Sequence, residues 1–497
     1  MLAKTAFAAW LLGAALLASG ECQGDACIAG ADEAGLLQVR SPHAAADLEL
    51  PEVAAPEHVE ALSLFAEMGD PARARDWMPR NVRRSMDALG GTARRGSRGR
   101  RTKECNFRHP SDCPMRSLVK SAFTSIMPAP DQWGTHCIND SSKYMFQVYP
   151  GRSDRLLIYY QDGGACWDPL SASMPYAGTK GICKQEIVEQ DEVGVFDKTD
   201  KSNPFRDFTI VHVNYCSGDA FTGNSVMPWG RVAGYNNSRA AVAWALHNTR
   251  ARLDKIAVVG ASAGALAAQV WTRTLLHQFS AGRRSYRSAT AVVDSYLGIF
   301  PAHTQPHILG QVFKTCSTPL GRGWAKRCGE DLTVQDVVME TMGMFRDVPF
   351  LFINSKADFV QGLFYGAVAF TLKKQMALMN PDQMYTAASD VLEFYSAAPN
   401  FAAFQVDGKK HIFLPEPRCK RGLREHCQGD MYSAGPAGPL SGKAGSGQLL
   451  VDWLRNGLDH RRLLSWCRGV PVPFLRGILL PMGACLKDLV GKELVLG

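Results

Sequence analysis

The chain has 497 residues, 46% hydrophobic and 21% charged, which is enough apolar material for one or two large cores and excludes a disordered or fibrous protein. Its formal net charge is +8. A nucleic-acid binder is not implied, because basic residues crowd into one stretch without aromatics (Arg94, Arg95, Arg98, Arg100, Arg101 and Lys103) and the rest is near neutral.

In chain order, residues 1–20 carry Lys4, an apolar run from Ala6 to Leu17 and then Ala18-Ser19-Gly20, the layout of a secretory signal. The run is shorter than the ~20 residues a membrane span needs, and no later stretch reaches that length. Residues 21–103 are rich in Ala, Glu, Gly and Arg and read as a mostly disordered pro-region or linker, with one short helix around Val59 to Met68. Within it, Arg98-Gly99-Arg100-Arg101 resembles a dibasic processing site. A folded domain is expected over 104–469, and a C-terminal tail that no pattern assigns over 470–497.

From Cys105 the texture changes. Strands are expected at Leu156–Tyr160, Phe208–Val213, Ile256–Val259, Thr290–Val293, Phe350–Ile353 and Phe401–Val406. Helical patterns lie at Ser238–Thr249, Ala263–Ser280, Val334–Met344 and Phe359–Met379. This alternation predicts an α/β fold with a mostly parallel sheet and helices on both faces. Gly429–Gln448, rich in Gly, Ala, Ser and Pro, reads as a long loop, either a lid or binding loop or a disordered insertion.

The 14 cysteines of a chain with a secretory signal are expected to pair, so the fold should be disulfide-stabilised. Cys316 with Cys328 and Cys419 with Cys427 are local candidates, and spacing leaves the connectivity open. No C-x-x-C pair occurs, so no metal site is expected. The triplets Asn139-Asp140-Ser141 and Asn236-Asn237-Ser238 are candidate glycosylation sites at Asn139 and Asn236.

One stretch carries chemistry. The β-branched run at Ile256–Val259 enters Gly260-Ala261-Ser262-Ala263-Gly264, and an alanine-rich helical segment leaves it. This is the strand-to-helix corner that a G-x-S-x-G nucleophile elbow needs, with Ser262 at its tip and the Ala263 amide at a helix N-terminus. A serine nucleophile also requires a base and an acid that orients it, following the serine in this fold. Asp358 and Asp294 each close a strand and compete as the acid; His411, His426 and His460 are the available bases. A second amide donor for an oxyanion is expected upstream, where the strand at Leu156–Tyr160 runs into Gly163-Gly164.

Five blocks in order, Gln161 to Asp168, Tyr215 to Gly223, Gly260 to Gly264, Asn354 to Gln361, and His411, resemble the pectin acetylesterase and Notum carboxylesterase family. The resemblance spans roughly Cys105 to Cys467. It implies an α/β-hydrolase fold with Ser262 as nucleophile, Asp358 as acid, His411 as base, and the amides of Gly163, Gly164 and Ala263 as the oxyanion hole. It further implies a secreted serine carboxylic-ester hydrolase, extracellular or in a cell wall, that works as a monomer without a cofactor. The implied substrate is an acyl ester: O-acetyl groups on polysaccharide, or, by the Notum branch, a longer fatty acyl group on protein or lipid. No nucleic acid and no stable membrane span are implied. One position departs from the family: Asp162 stands where members carry a glycine at the start of the oxyanion turn. Unless it is paired or turned away, its carboxylate would oppose an oxyanion, which leaves a catalytically inactive binding protein on the same fold as a further reading.

Overall fold

Five apolar strands, each buried on both sides at its carboxyl end, form the centre of the sheet. A computed structural model describes residues 103–460, apart from 174–180, 325–326, 329–330, 376, 378, 419–429, 436–437 and 440–448. Outside the described residues lie the signal at 1–20, residues 21–102 with the dibasic site, His426, the Cys419–Cys427 pair, most of the Gly429–Gln448 loop and the tail at 470–497.

The strands are β1 (Lys103–Phe107), β2 (Thr124–Pro128), β3 (Phe146–Tyr149), β4 (Arg152–Tyr160), β5 (Phe208–Val213), the hairpin β6 (Ser225–Met227) and β7 (Gly230–Val232), β8 (Arg252–Ala261), β9 (Ser285–Asp294), β10 (Phe350–Ser355) and β11 (Phe401–Val406). Among the described residues, nine of them make one sheet in the order β1-β2-β3-β5-β4-β8-β9-β10-β11. Every neighbouring pair is parallel except the two that β3 makes, with β2 and with β5. The expected mostly parallel sheet is therefore borne out, with one reversed strand.

Alternation along each strand divides the core. Leu156, Ile158 and Tyr160 of β4, with Ile256 and Val258 of β8, face one apolar cluster. Helices α1 (Gly234–Asn248), α2 (Ala263–Ser280), α3 (Val334–Met344) and α5 (Pro381–Tyr395) cover that face. Leu157 and Tyr159, with Ala257 and Val259, face a second cluster, covered by α6 (Leu450–Leu458) and the segment around Phe196 and Phe205. Helix α4 (Phe359–Val368) sits instead over the carboxyl ends of the strands.

Disulfides Cys105–Cys113, Cys137–Cys216, Cys166–Cys183 and Cys316–Cys328 form, including one of the two expected local pairs. Asn139 lies on a surface turn, its Nδ2 donating to Glu186 Oε1 at 2.5 Å. Asn236 sits in the first turn of α1, its amide donating to the Gly134 carbonyl, with Ser238 of the same triplet buried.

Strand order locates the site. β4 lies between β5 and β8, so the chain leaves β4 in one direction and later returns on its other side. The crevice beyond the carboxyl ends of β4 and β8 is that topological switch point, where open α/β sheets bind ligands. No described helix is long and apolar enough to cross a membrane.

Candidate active site

β8 ends at Ala261 and α2 begins at Ala263, so the whole turn is one residue, Ser262. Its backbone is held at φ 54°, ψ −119°, a conformation an L-residue adopts only under constraint. The constraint is local. The Ser262 amide donates to the Asp294 carbonyl at 2.9 Å, and the Ser262 carbonyl accepts from Ala265 and Leu266. A Cβ at Gly264 would fall on the Tyr160 carbonyl of β4, so glycine lets the first turn of α2 close against the neighbouring strand. The Ala263 amide, at the first position of α2, has no intrahelical acceptor and opens onto the same crevice as Ser262.

Across the switch point, β4 runs into Gly163 and Gly164. Gly164 has φ 68°, and a Cβ there would collide with the Ile182 carbonyl. Three contacts hold this turn. Lys184 N donates to the Gly163 carbonyl at 2.8 Å, the Tyr215 hydroxyl donates to the Gly164 carbonyl at 2.8 Å, and the Cys166–Cys183 bridge closes the loop behind it. Tyr215 is held in turn, since its hydroxyl accepts from Ala220 N at 2.8 Å. The loop carrying Ala220 is organised by buried Asp219, which accepts from Ser217 Oγ and from the amides of Phe221, Gly223 and Gly234.

Asp162, the position that departs from the family, is paired. Its Oδ2 lies 3.1 Å from Lys184 Nζ. Burial alone would raise its pKa, yet the Lys184 charge and hydrogen bond outweigh burial and hold it below the usual carboxylate range. The charge beside the Gly163-Gly164 turn is thus offset by a side chain 22 residues away in a loop, a pairing that no local pattern announces. Lys184→Met is expected to leave Asp162 without the cation that offsets it and to lower kcat by part of the 10²–10³ that a lost oxyanion donor costs, about tenfold. Asp162→Asn in the same chain is expected to restore it; steady-state kinetics on the two variants would show an unaltered kcat in Lys184→Met if the pairing were irrelevant.

Asp358 and His411 follow the ends of adjacent strands. β9, β10 and β11 are in register, with Asp294 opposite Ile353 and Ser355 opposite Val406. Asp358 caps α4, its Oδ1 accepting from the amides of Val360 at 3.0 Å and Gln361 at 3.1 Å, and its Oδ2 from Gln361 Nε2 at 2.9 Å. His411 Nδ1 lies 2.8 Å from Asp358 Oδ2 and 3.0 Å from Oδ1, with both residues buried. Of the two competing acids, Asp358 is the one in contact with this imidazole. Asp294 has a different place: its Oδ2 accepts from the amides of Phe413 and Leu414, each at 2.8 Å, and pins the loop where Ile412 is held at φ 58°. Burial pushes Asp294 up to about 6, against the pull of those amides. Of the competing bases, His460 bonds the Ala289 carbonyl far from the elbow.

Burial also works to lower the His411 pKa, but the Asp358 carboxylate, with Asp294 and Asp162 behind it, brings it above its ordinary value of 6.5. His411 Nε2 is buried without a hydrogen-bond partner, so no bond to Ser262 Oγ is formed in the free protein. Both side chains line one cavity, together with Gly164 and Ala263. Such bonds are often long before substrate binds.

That cavity, about 580 Å³ with its open mouth included, is apolar. Trp167, Phe300, Ile308, Phe313, Phe364 and Val368 supply much of its wall. They come from four separate segments with no common period, which is why sequence patterning did not pick them out.

Comparison with known proteins agrees with the resemblance read in the sequence. Residues 120–317 match the family described as Pectinacetylesterase, an esterase-type hydrolase family. The match takes in Ser262 and the Gly163-Gly164 turn and ends before Asp358 and His411. Among solved structures, the chain is similar to two crystal forms of the Wnt deacylase Notum from Drosophila, at 14% and 15% identity and TM-scores of 0.40 and 0.38. Each alignment covers 56% of this chain, and 84% and 83% of the respective Notum chain. No curated protein matches the chain.

Proposed function

With the family match over residues 120–317 as premise, we propose that this chain is a serine carboxylic-ester hydrolase that removes a fatty acyl group through an acyl-enzyme. His411 Nε2 takes the proton of Ser262 as Oγ attacks the ester carbonyl. Asp358 holds the imidazole with Nε2 free and stabilises the cation that forms. The amides of Ala263, Gly164 and Gly163 receive the oxyanion, and His411 then returns the proton to the departing alcohol. Water attacks the acyl-enzyme by the same route in reverse.

The observation that carries the choice of acyl group is the apolar cavity at Ser262. An acetyl group would cover little of its apolar wall, whereas each methylene of a longer chain buried there contributes about 0.8 kcal/mol. Across p-nitrophenyl esters from acetyl to palmitoyl, kcat/KM is expected to climb by up to about fourfold per methylene until the cavity is filled. A profile that peaks at acetyl would overturn the fatty-acyl reading in favour of a polysaccharide acetylesterase. The pairing of Asp162 by Lys184 argues against an inert binding protein, and reaction of Ser262 with a fluorophosphonate probe distinguishes the two.

The proposal includes export by the signal at 1–20, release of the 104–469 domain near Arg98–Arg101, and glycans at Asn139 and Asn236. Four disulfides support folding in an oxidising compartment.

A further inference from the structure

Next to the cavity at Ser262, across Leu309, lies a second one, of about 370 Å³ with its open mouth included. Val270, Pro306, Leu309, Trp324 and Val337 are among the residues that line it. Leu309 is the residue common to both walls. The two spaces are neighbours along α2: Leu266 faces the first and Val270, one turn further on the same side of the helix, faces the second. The partition between them is the segment His307–Val312, a π-helical turn, a form that helices adopt mostly as isolated widenings at functional places.

The polar groups around the second cavity are already engaged. Trp324 Nε1 donates to Glu340 Oε2 at 3.0 Å, Thr315 Oγ1 to Thr222 Oγ1 at 2.8 Å, and Thr333 Oγ1 to Asp336 Oδ2 at 2.6 Å. A ligand there would meet hydrocarbon and a disulfide, Cys316–Cys328, and would gain no hydrogen bond from these groups. Its position beside the cavity at Ser262 and its lining fit one occupant, the distal methylenes of a long acyl chain whose carbonyl is at Ser262.

We infer that the two cavities are successive compartments of one acyl channel, and that Leu309 is the specificity-determining residue that sets how long a chain is accepted. This rests on the fatty-acyl reading above. Shorter chains end in the first compartment. Longer ones must displace the Leu309 side chain to enter the second.

The test compares kcat/KM on octanoyl, lauroyl and palmitoyl esters for the wild type, Leu309→Ala and Val337→Phe, read as the palmitoyl-to-octanoyl ratio within each protein. Opening the partition in Leu309→Ala is expected to raise that ratio about fifteenfold, the worth of roughly two further buried methylenes. Filling the far compartment in Val337→Phe is expected to lower it. A ratio equal to wild type in both variants would overturn the inference and leave the second cavity a separate apolar pocket. Should one variant fail to fold, the ratio of the other decides. A wild type that hydrolyses acetyl esters and no octanoyl ester fails in its own measurement, which separates loss of the fatty-acyl reading from loss of the role given to Leu309.

Discussion

Ser262→Ala is expected to lower kcat for ester hydrolysis by about a millionfold, the scale on which a triad serine acts. The substitution removes one oxygen and little else. The backbone bond from residue 262 to the Asp294 carbonyl, the glycine contacts of the turn and the cavity wall do not involve the hydroxyl. Melting temperature should therefore stay near that of the wild type while turnover and fluorophosphonate labelling disappear. Acyl-ester binding should persist, because the apolar wall is intact, and a fluorescent fatty ester would report it. Undiminished turnover in a folded Ser262→Ala protein would mean that the chemistry lies elsewhere.

The second large effect belongs to Asp358→Asn, expected to cost on the order of 10⁴ in kcat. The reason is the direction of the hydrogen bonds. Asp358 Oδ1 accepts from two amides, so the asparagine oxygen is drawn to that side and its NH₂ group takes the place of Oδ2. Oδ2 is the oxygen nearest His411 Nδ1. An NH₂ there turns Nδ1 into an acceptor, places the imidazole proton on Nε2, and leaves no base for Ser262. Titration should show the same change. The base works only when neutral, so kcat/KM of the wild type rises with pH through the His411 pKa, which lies above 6.5, and is lost below it. Without the Asp358 charge, burial dominates, and the acid limb of the residual activity should move to lower pH. An acid limb that stays in place would show that Asp358 does not set the ionisation of His411.

The parts of this fold legible in the sequence are those governed by local pattern. Runs such as Phe208–Val213 and Phe401–Val406 are buried on both faces and therefore continuously apolar, and they appear with the expected bounds. α2 and α3 likewise begin and end where their composition says. The two strands at the amino-terminal side of the sheet were hidden. β2 reads Thr-Ser-Ile-Met-Pro and β1 carries Lys, Glu and Asn, so neither shows an apolar run. The helix expected over Phe359–Met379 is shorter: α4 ends at Val368, Ala369–Lys373 continues as a π turn, and Lys374 leaves it at φ 59°. Apolar periodicity continued past the break, while the real start signal for α5 lay just beyond, in Asn380, Pro381 and the capping partner Gln383.

For the site, one-residue motifs at strand ends were readable and pairings across loops were not. Ser262 was marked by its glycines, but the choice between Asp358 and Asp294 depended on which strand end faces His411. Register decides that, and nothing local encodes it. Lys184 was invisible for the same reason, and the apolar cavity at Ser262 is a product of tertiary assembly.

The described disulfides all fall before residue 330, and none reaches β10 or β11. Cys166–Cys183 backs the oxyanion turn and Cys316–Cys328 the second cavity, whereas Asp358 and His411 are positioned by strand register, by the Asp294 anchor, and by the buried Lys356–Asp407 pair at 2.6 Å. Redox chemistry therefore divides this active centre unequally. On the proposed mechanism, reduction of the described disulfides acts first on the half that would grip the acyl group and receive its charge. On that mechanism, exposure to a reducing milieu would register first as failing substrate affinity and oxyanion support.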